Sequence, residues 1–158
     1  MFTTDMVYYD HKGKKKVIWK MNILFFLTPK TNVSFLYNDY SVAKALETVY
    51  NSHYTALPMI DRDGKYIRTI TEGDFLWGLL KHHEITKENV HTTRIGEITG
   101  RVKNQAVSVS ANMEDLLEKA KDQNFVPVVD DDDVFIGIIT RKDILQYCYD
   151  VMDGKKEA

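Results

Sequence analysis

The chain repeats itself at a fixed offset. Pro58-Met59-Ile60-Asp61, Tyr66-Ile67 and Ile70-Thr71-Glu72-Gly73-Asp74-Phe75-Leu76 return as Pro127-Val128-Val129-Asp130, Phe135-Ile136 and Ile139-Thr140-Arg141-Lys142-Asp143-Ile144-Leu145. The step from Pro58 to Thr71 equals that from Pro127 to Thr140, and the step from Thr71 to Asp74 equals that from Thr140 to Asp143. A spacing held this closely is the mark of one supersecondary unit built twice. The 158 residues accommodate two tandem modules of about 50–60 residues each, near the lower limit of domain size.

Hydrophobic periodicity orders the elements within a module. Val33 to Tyr37 is an apolar run suited to a strand. Ser41 offers a helix N-cap, and Val42, Ala45, Leu46, Val49 and Tyr50 recur at helical spacing as far as His53. Leu57 to Ile60 reads as a buried strand. Asp61-Arg62-Asp63-Gly64 is turn chemistry, and Tyr66 to Ile70 is the returning strand. A closing helix follows, with Phe75, Leu76, Leu79 and Leu80 on one face. The second copy reads the same way: a strand at Val107-Ser108-Val109 and an Asn112-capped helix carrying Met113, Leu116, Leu117 and Ala120. A hairpin turns at Asp130–Asp133, and the closing helix runs from Ile144 to Tyr149. The expectation is an α/β fold, an α+β sandwich of two tandem β-α-β-β-α units in pseudo-two-fold arrangement. Its segments are an arm (1–29), unit 1 (30–82), a linker (83–101), unit 2 (102–150) and a tail (151–158).

Charge and cysteine content exclude several classes. With 21 Lys+Arg against 23 Asp+Glu, the net charge is −2, which does not suit a dedicated nucleic-acid binder needing a basic surface. The basic run Lys12, Lys14, Lys15, Lys16 precedes a short apolar stretch, Ile23 to Leu27. Lys20 and Asn22 interrupt it and no small-residue cleavage site follows, so a signal peptide is not expected. No run approaches the roughly 20 apolar residues of a membrane span. The lone Cys148 cannot form an internal disulfide, and a reducing, cytoplasmic setting is expected.

Thr71-Glu72-Gly73-Asp74 and Thr140-Arg141-Lys142-Asp143 each lie where a strand meets a helix. Thr-x-x-acid there is a capping pattern: the hydroxyl accepts a main-chain N–H, and the acid complements the positive end of the helix dipole. The same geometry serves ligand binding. A helix N-terminus offers free N–H groups to an anion, and a carboxylate accepts bonds from both hydroxyls of a ribose. The strands carrying Pro58 and Pro127 would then present main chain to a base edge. Caps and ligand groups are both open readings at these residues.

Two β-α-β-β-α units with an apolar-Pro-apolar-apolar-Asp strand and a G/T-x-x-T-x-x-D corner resemble a tandem pair of CBS domains, a Bateman module. The resemblance covers about residues 30–150, and the second copy, Phe135 to Asp143, matches the pattern closely. The first departs from it at Arg68, where the family often has Gly. The resemblance implies binding of an adenosine ligand (AMP, ADP or ATP, with S-adenosylmethionine or cyclic di-AMP also in the family's range) in clefts between the domains. Asp74 and Asp143 would then hold ribose hydroxyls, and Thr71 and Thr140 ribose or phosphate. Asn32, Val33 and Ser34, and Tyr54, Thr55, Ala56 and Leu57 before Pro58, would meet the base of one ligand, mostly through main chain. Val107 and Asn124, Phe125 and Val126 before Pro127 would do so for the other. Arg141 and Lys142 make the second corner the better phosphate neighbour. A cyclic dinucleotide lacks the free diol that a ribose-binding Asp uses, so two intact acids lean toward a mononucleotide.

The resemblance further implies a homodimer through the closing helices, where Phe75, Trp77, Tyr147 and Tyr149 supply aromatic surface, and a regulatory role exerted on a separate effector protein. No nucleophile–base pair appears, so catalysis is not expected. Asp130 to Asp133 lacks the Gly and Glu of a calcium loop, and His11, His53, His82, His83 and His91 lack metal-ligand spacing. The expected function is an adenine-nucleotide sensor. A cyclic-di-AMP receptor is the alternative within the binding class, and a ligand-free scaffold dimer, with both corners serving as caps, is the alternative outside it.

Overall fold

The computed structural model describes residues 6–9, 12–13, 15–18, 21–101 and 104–152. His11, Lys14 and Lys20, and the tail from 153 on, lie outside the described residues. The strands in chain order are β1 (Met6–Tyr9), β2 (Lys15–Ile18), β3 (Thr28–Pro29), β4 (Leu36–Tyr37), β5 (Ala56–Ile60), β6 (Tyr66–Thr71), β7 (Val107–Ser108), β8 (Phe125–Val129) and β9 (Phe135–Thr140). The helices are α1 (Val42–Ser52), α2 (Glu72–Leu80), α3 (Met113–Ala120) and α4 (Arg141–Met152).

The repeat is realised residue for residue in the two hairpins. Ala56 pairs with Thr71 and Pro58 with Thr69; at the equivalent places of the second copy Phe125 pairs with Thr140 and Pro127 with Ile138. Even the register shift recurs, between Met59 and Ile60 and between Val128 and Val129. Proline is tolerated inside these strands because the parallel partner reaches only the last two residues of each, Met59 and Ile60 or Val128 and Val129. At Pro58 and Pro127 the strand has one neighbour, so the missing N–H breaks no ladder. The hairpin turns then meet. Tyr66 N–H donates to the Asp133 carbonyl and Phe135 N–H to the Gly64 carbonyl, a reciprocal pair that marks the pseudo-two-fold axis. Gly64 and Asp133 occupy equivalent places, and both have positive φ, 85° and 63°. Asp is among the few non-glycine residues that accept this conformation, because its side chain bonds locally.

Helix α1 follows the capping expectation. Ser41 Oγ accepts from Lys44 N–H, and His53 ends the helix in the left-handed conformation. Its buried stripe is narrower than the apolar spacing implied: Val42, Ala45 and Val49 are buried, whereas Leu46 and Tyr50, one residue further round, are exposed. Helix α2 differs more. Phe75 and Gly78 face the core, and Leu76, Leu79 and Leu80 are 47%, 50% and 59% exposed. Of the aromatics expected at the surface, Phe75 and Tyr147 are core residues, Trp77 is half-buried and Tyr149 is exposed. The first strand of unit 1 is shorter than Val33–Tyr37, reduced to Leu36–Tyr37 by a 3-10 turn over Lys30–Asn32.

The segment placed in an N-terminal arm has two fates. Strands β1 and β2 form an antiparallel hairpin of their own. Residues 21–29 instead complete unit 2: Ile23 and Phe26 lie in its core with Leu116, Val126, Ile139 and Ile144. Strand β3 adds to the edge of β9, giving the sheet order β3-β9-β8-β7. The linker does the reciprocal service, since Ile85, Ile95 and Ile98 lie in the core of unit 1 with Leu36, Val42, Met59 and Ile70. Unit 1 keeps a three-stranded sheet, β4-β5-β6. Truncating fully buried Ile23 to Ala is therefore expected to cost about 3 kcal/mol. In a denaturant series followed by amide exchange, β8 and β9 should lose protection before β5 and β6.

Candidate functional site

Each corner rests on the carbonyl of a residue just before its proline strand. Glu72 N–H donates to the Thr55 carbonyl at 3.0 Å, and Arg141 N–H to the Asn124 carbonyl at 2.9 Å. Thr55 and Asn124, both exposed, thus lie directly beneath the corners. Leu57, Pro58, Val107, Phe125, Val126 and Pro127, expected beside a base, are buried. Ala56 is half-buried. Asn32, Val33 and Ser34 leave a turn that packs against β9 of the second unit, so the entry to unit 1 lies beside the other unit's sheet.

At the first corner the carboxylate is consumed by the protein. Asp74 is 1% exposed. Its Oδ2 accepts from Thr71 N–H at 2.8 Å and from the Thr71 hydroxyl at 3.0 Å, and its Oδ1 accepts from Arg101 N–H at 3.0 Å. Thr71 Oγ1 in turn accepts from Asp74 N–H, completing a capping box. Arg68 stands alongside, with Nη1 3.8 Å from Asp74 Oδ2 and Nη2 donating to the Ile98 carbonyl at 2.8 Å. Burial pulls the Arg68 guanidinium below its usual range, and Asp74 works against that.

At the second corner the threonine is half-buried, as in the first, but the aspartate stands in the open. Thr140 Oγ1 donates to Asp143 Oδ2 and accepts from Asp143 N–H at 3.1 Å. Asp143 is exposed, and its Oδ1 receives no hydrogen bond from the described residues. The corner has hollows on both sides. One, of about 370 Å³, is lined by Phe25, Phe26, Leu27, Thr28, Asp143, Gln146 and Tyr147. The other, of about 650 Å³, is lined by Asn124, Arg141, Lys142, Leu145, Gln146 and Tyr149. The smaller one contains the Asp143 carboxylate; the larger brings the two cations of the corner to its rim. Arg141 is fixed there, bonding Asn124 Oδ1 and the Lys121 carbonyl.

Among the aligned positions at which the two corners differ, one bears on how each is covered. Gly137 faces β3, where an added Cβ would run into the Thr28 carbonyl and the Pro29 main chain. Its lack of a side chain is what lets β3 lie against β9 and leave Asp143 uncovered. Arg68, at the matching place in β6, has a side chain, and its guanidinium packs on Gly100 and bonds Ile98 where strand-to-strand bonds would otherwise run. Phe25 to Thr28 and Arg101 are the site residues that sequence reading missed. The usable signal was the glycine-to-arginine departure at Arg68, which marks a changed neighbour. Two stability outcomes separate the corners. Asp74→Ala strands three donors around a buried site and is expected to cost about 3 kcal/mol. Asp143→Ala removes one exposed capping acceptor, at about 0.5–1 kcal/mol. Urea unfolding of both variants checks the difference.

Comparison with known proteins gives a consistent family. The sequence profile described as "CBS domain" matches residues 26–81 and 95–150, two stretches related by the same offset as the internal repeat. The curated proteins contain no significant match. Among solved structures, a CBS domain protein from Streptococcus pneumoniae TIGR4 is 29% identical, with a TM-score of 0.72, over 81% of this chain and 86% of that one. CBSX2 in complex with AMP, a protein from Arabidopsis thaliana, is 26% identical, with a TM-score of 0.64 over 83% and 98%. CbpB from Listeria monocytogenes in complex with c-di-AMP has a TM-score of 0.71 over 84% and 98%, at 19% identity, and so shares the fold. With two matched domains in tandem, residue-level symmetry between its hairpins and one strand-to-helix corner in each half, the chain belongs to the CBS domain family.

Proposed function

We propose that the protein is a regulatory module that binds an adenine nucleotide with a free ribose diol and carries out no chemistry on it. The observation that supports this reading is the second corner, where exposed Asp143, bonded to Thr140, lines a cavity and two cations stand within the same turn of helix. The free Oδ1 of Asp143 is an acceptor for ribose hydroxyls. Thr140, with Arg141 and Lys142, provides the donors and positive charge that a phosphate requires. The exposed ring of Phe25 borders the hollow that holds Asp143, and Asn124 borders the one on the side of Arg141 and Lys142, so each offers a surface for a base. The solved CBSX2 complex with AMP, 26% identical, supports the ligand class.

The CbpB complex with c-di-AMP supports a second reading, a cyclic-di-AMP receptor. It would use the cations and the aromatic wall but not the diol contact at Asp143, because both 3′ oxygens are esterified. Occupation acts by population shift, with the ligand favouring one arrangement of the two units. The readout is a second copy or a separate effector protein. Leu76, Leu79 and Leu80 of α2 and Leu145 and Tyr149 of α4 form the exposed apolar surface on which a homodimer would close. No helix among the described residues is long and apolar enough to cross a membrane. A cytoplasmic nucleotide pool is the source proposed for the ligand.

Thermal unfolding against AMP, ADP, ATP, S-adenosylmethionine, cyclic di-AMP and GTP tests the reading. A ligand at a hundred times its dissociation constant adds about 2.7 kcal/mol, which raises Tm by roughly 5–10 °C for a chain of this size. The expected result is a rise with a mononucleotide that Asp143→Ala abolishes, and none with GTP. A rise with cyclic di-AMP alone, unchanged in Asp143→Ala, selects the second reading. Silence with all six selects the scaffold.

A further inference from the structure

The two corners share sequence but not state, and their difference carries a consequence for occupancy. We infer that the first corner is latched shut by the chain itself and takes no nucleotide, Arg68 and residues 99–101 holding Asp74 in place of a ligand. The inference rests on the reading of these corners as nucleotide sites, and it concerns which of them is open.

The argument is one of competing acceptors. A ribose diol needs an open acceptor on the carboxylate: Asp74 Oδ2 already accepts two bonds from Thr71 and Oδ1 one from Arg101 N–H, whereas Asp143 keeps its Oδ1 open. At 1% exposure no water edge is left through which a diol could enter. Binding there would strand the Arg101 N–H and break the contact with Arg68, and a donor left without a partner away from water costs more than an average hydrogen bond returns. The strap over the corner is tied at three further points. Arg68 Nη2 holds the Ile98 carbonyl, Thr99 N–H and Oγ1 donate to the Glu84 carboxylate at 2.9 and 2.6 Å, and the Arg101 guanidinium lies over the Trp77 ring at 5.2 Å. Thr99 keeps the Glu84 carboxyl below the usual carboxylate range, so this tie is in place at neutral pH. Gly100 lies against the Arg68 guanidinium, which a Cβ there would have to displace. Among the described residues none of these ties has a counterpart at the second corner, where position 137 is glycine and Asp143 faces a cavity.

Two measurements on the whole chain test the latch. Amide exchange of the nucleotide-free protein reads it directly: Arg101 N–H is expected to be protected about 100-fold or more over its free-peptide rate. In Arg68→Met, which keeps the apolar stem and removes the donors, that protection should fall by about tenfold while the α4 amides stay unchanged. An Arg101 amide that exchanges freely in the wild-type protein overturns the latch, with or without nucleotide binding. Calorimetric titration with AMP reads occupancy. One equivalent per chain, lost in Asp143→Ala, is expected, and a second equivalent per chain overturns the inference. Absence of any AMP binding beside a protected Arg101 amide would defeat the nucleotide reading at Asp143 while leaving the first corner shut, as inferred.

Discussion

Neither unit of this protein closes its own core. Ile23 and Phe26 precede unit 1 in the chain and are buried in unit 2; Ile85, Ile95 and Ile98 precede unit 2 and are buried in unit 1. A module of this size buries too small a share of its surface to be comfortably stable alone. Exchanging the segments ahead of each module adds two or three buried apolar side chains to each side, at about 1.5–3 kcal/mol apiece. The exchange also fixes geometry. Once β3 lies on β9 and the 95–98 segment lies in unit 1, the two hairpin turns have little choice but to meet at Gly64 and Asp133.

This constraint explains what the sequence disclosed and what it withheld. The hairpins, the Ser41 and Asn112 caps and both turns were legible because each is set by residues within a few positions of one another. Asp130 Oδ1 accepting the N–H groups of Asp132 and Val134 is such a local device. The fate of residues 21–29 was not legible. Ile23 to Leu27 reads as a short apolar run, and nothing near it in sequence says that its partners begin at Val107. The exposed face of α2 was misjudged for a related reason. Leu76, Leu79 and Leu80 satisfy helical spacing, but the core side was taken by Phe75 and by Gly78, against which Ile85 packs too closely to admit a side chain.

Of the candidate site, the Thr-x-x-Asp corners were legible as chemistry, but their states were not. In either unit the Thr hydroxyl donates to the Asp carboxylate and accepts from the Asp N–H, and only in the first does the Thr main-chain N–H also reach the carboxylate. What separates them lies outside that motif: the strand residue at position 68 or 137, and the 99–101 segment that covers only the first. Glycine at 137 costs the sheet nothing where a strand must approach closely. Arginine at 68 substitutes one long side chain for strand pairing and delivers a cation to within 3.8 Å of a buried carboxylate. A buried acid with a partner and three donors is held in place, and removing any one member leaves the rest unpaired. An exposed acid with one local partner is free to exchange that bond for another. On the proposed reading, capping and ligand binding are two uses of one arrangement, and burial decides between them.

The exchange of segments also gives the open corner a mechanical outlet. Phe25 to Thr28 wall the cavity at Asp143, and the chain runs on without a break through β3 and the Lys30–Asn32 turn into β4 of unit 1. Phe25 and Phe26 pack edge-on against Tyr147 of α4 at 6.5 and 5.3 Å. A molecule seated against that wall therefore touches, at once, the closing helix of unit 2 and the strand entry of unit 1. Packed aromatic contacts of this kind do not deform gradually; they hold one arrangement or move to another. Differential contact with two such arrangements is all that a ligand needs in order to shift the relation between the units. On the proposed reading that leverage would be concentrated at the second corner, because only there, among the described residues, does the segment wall a cavity that contains the carboxylate.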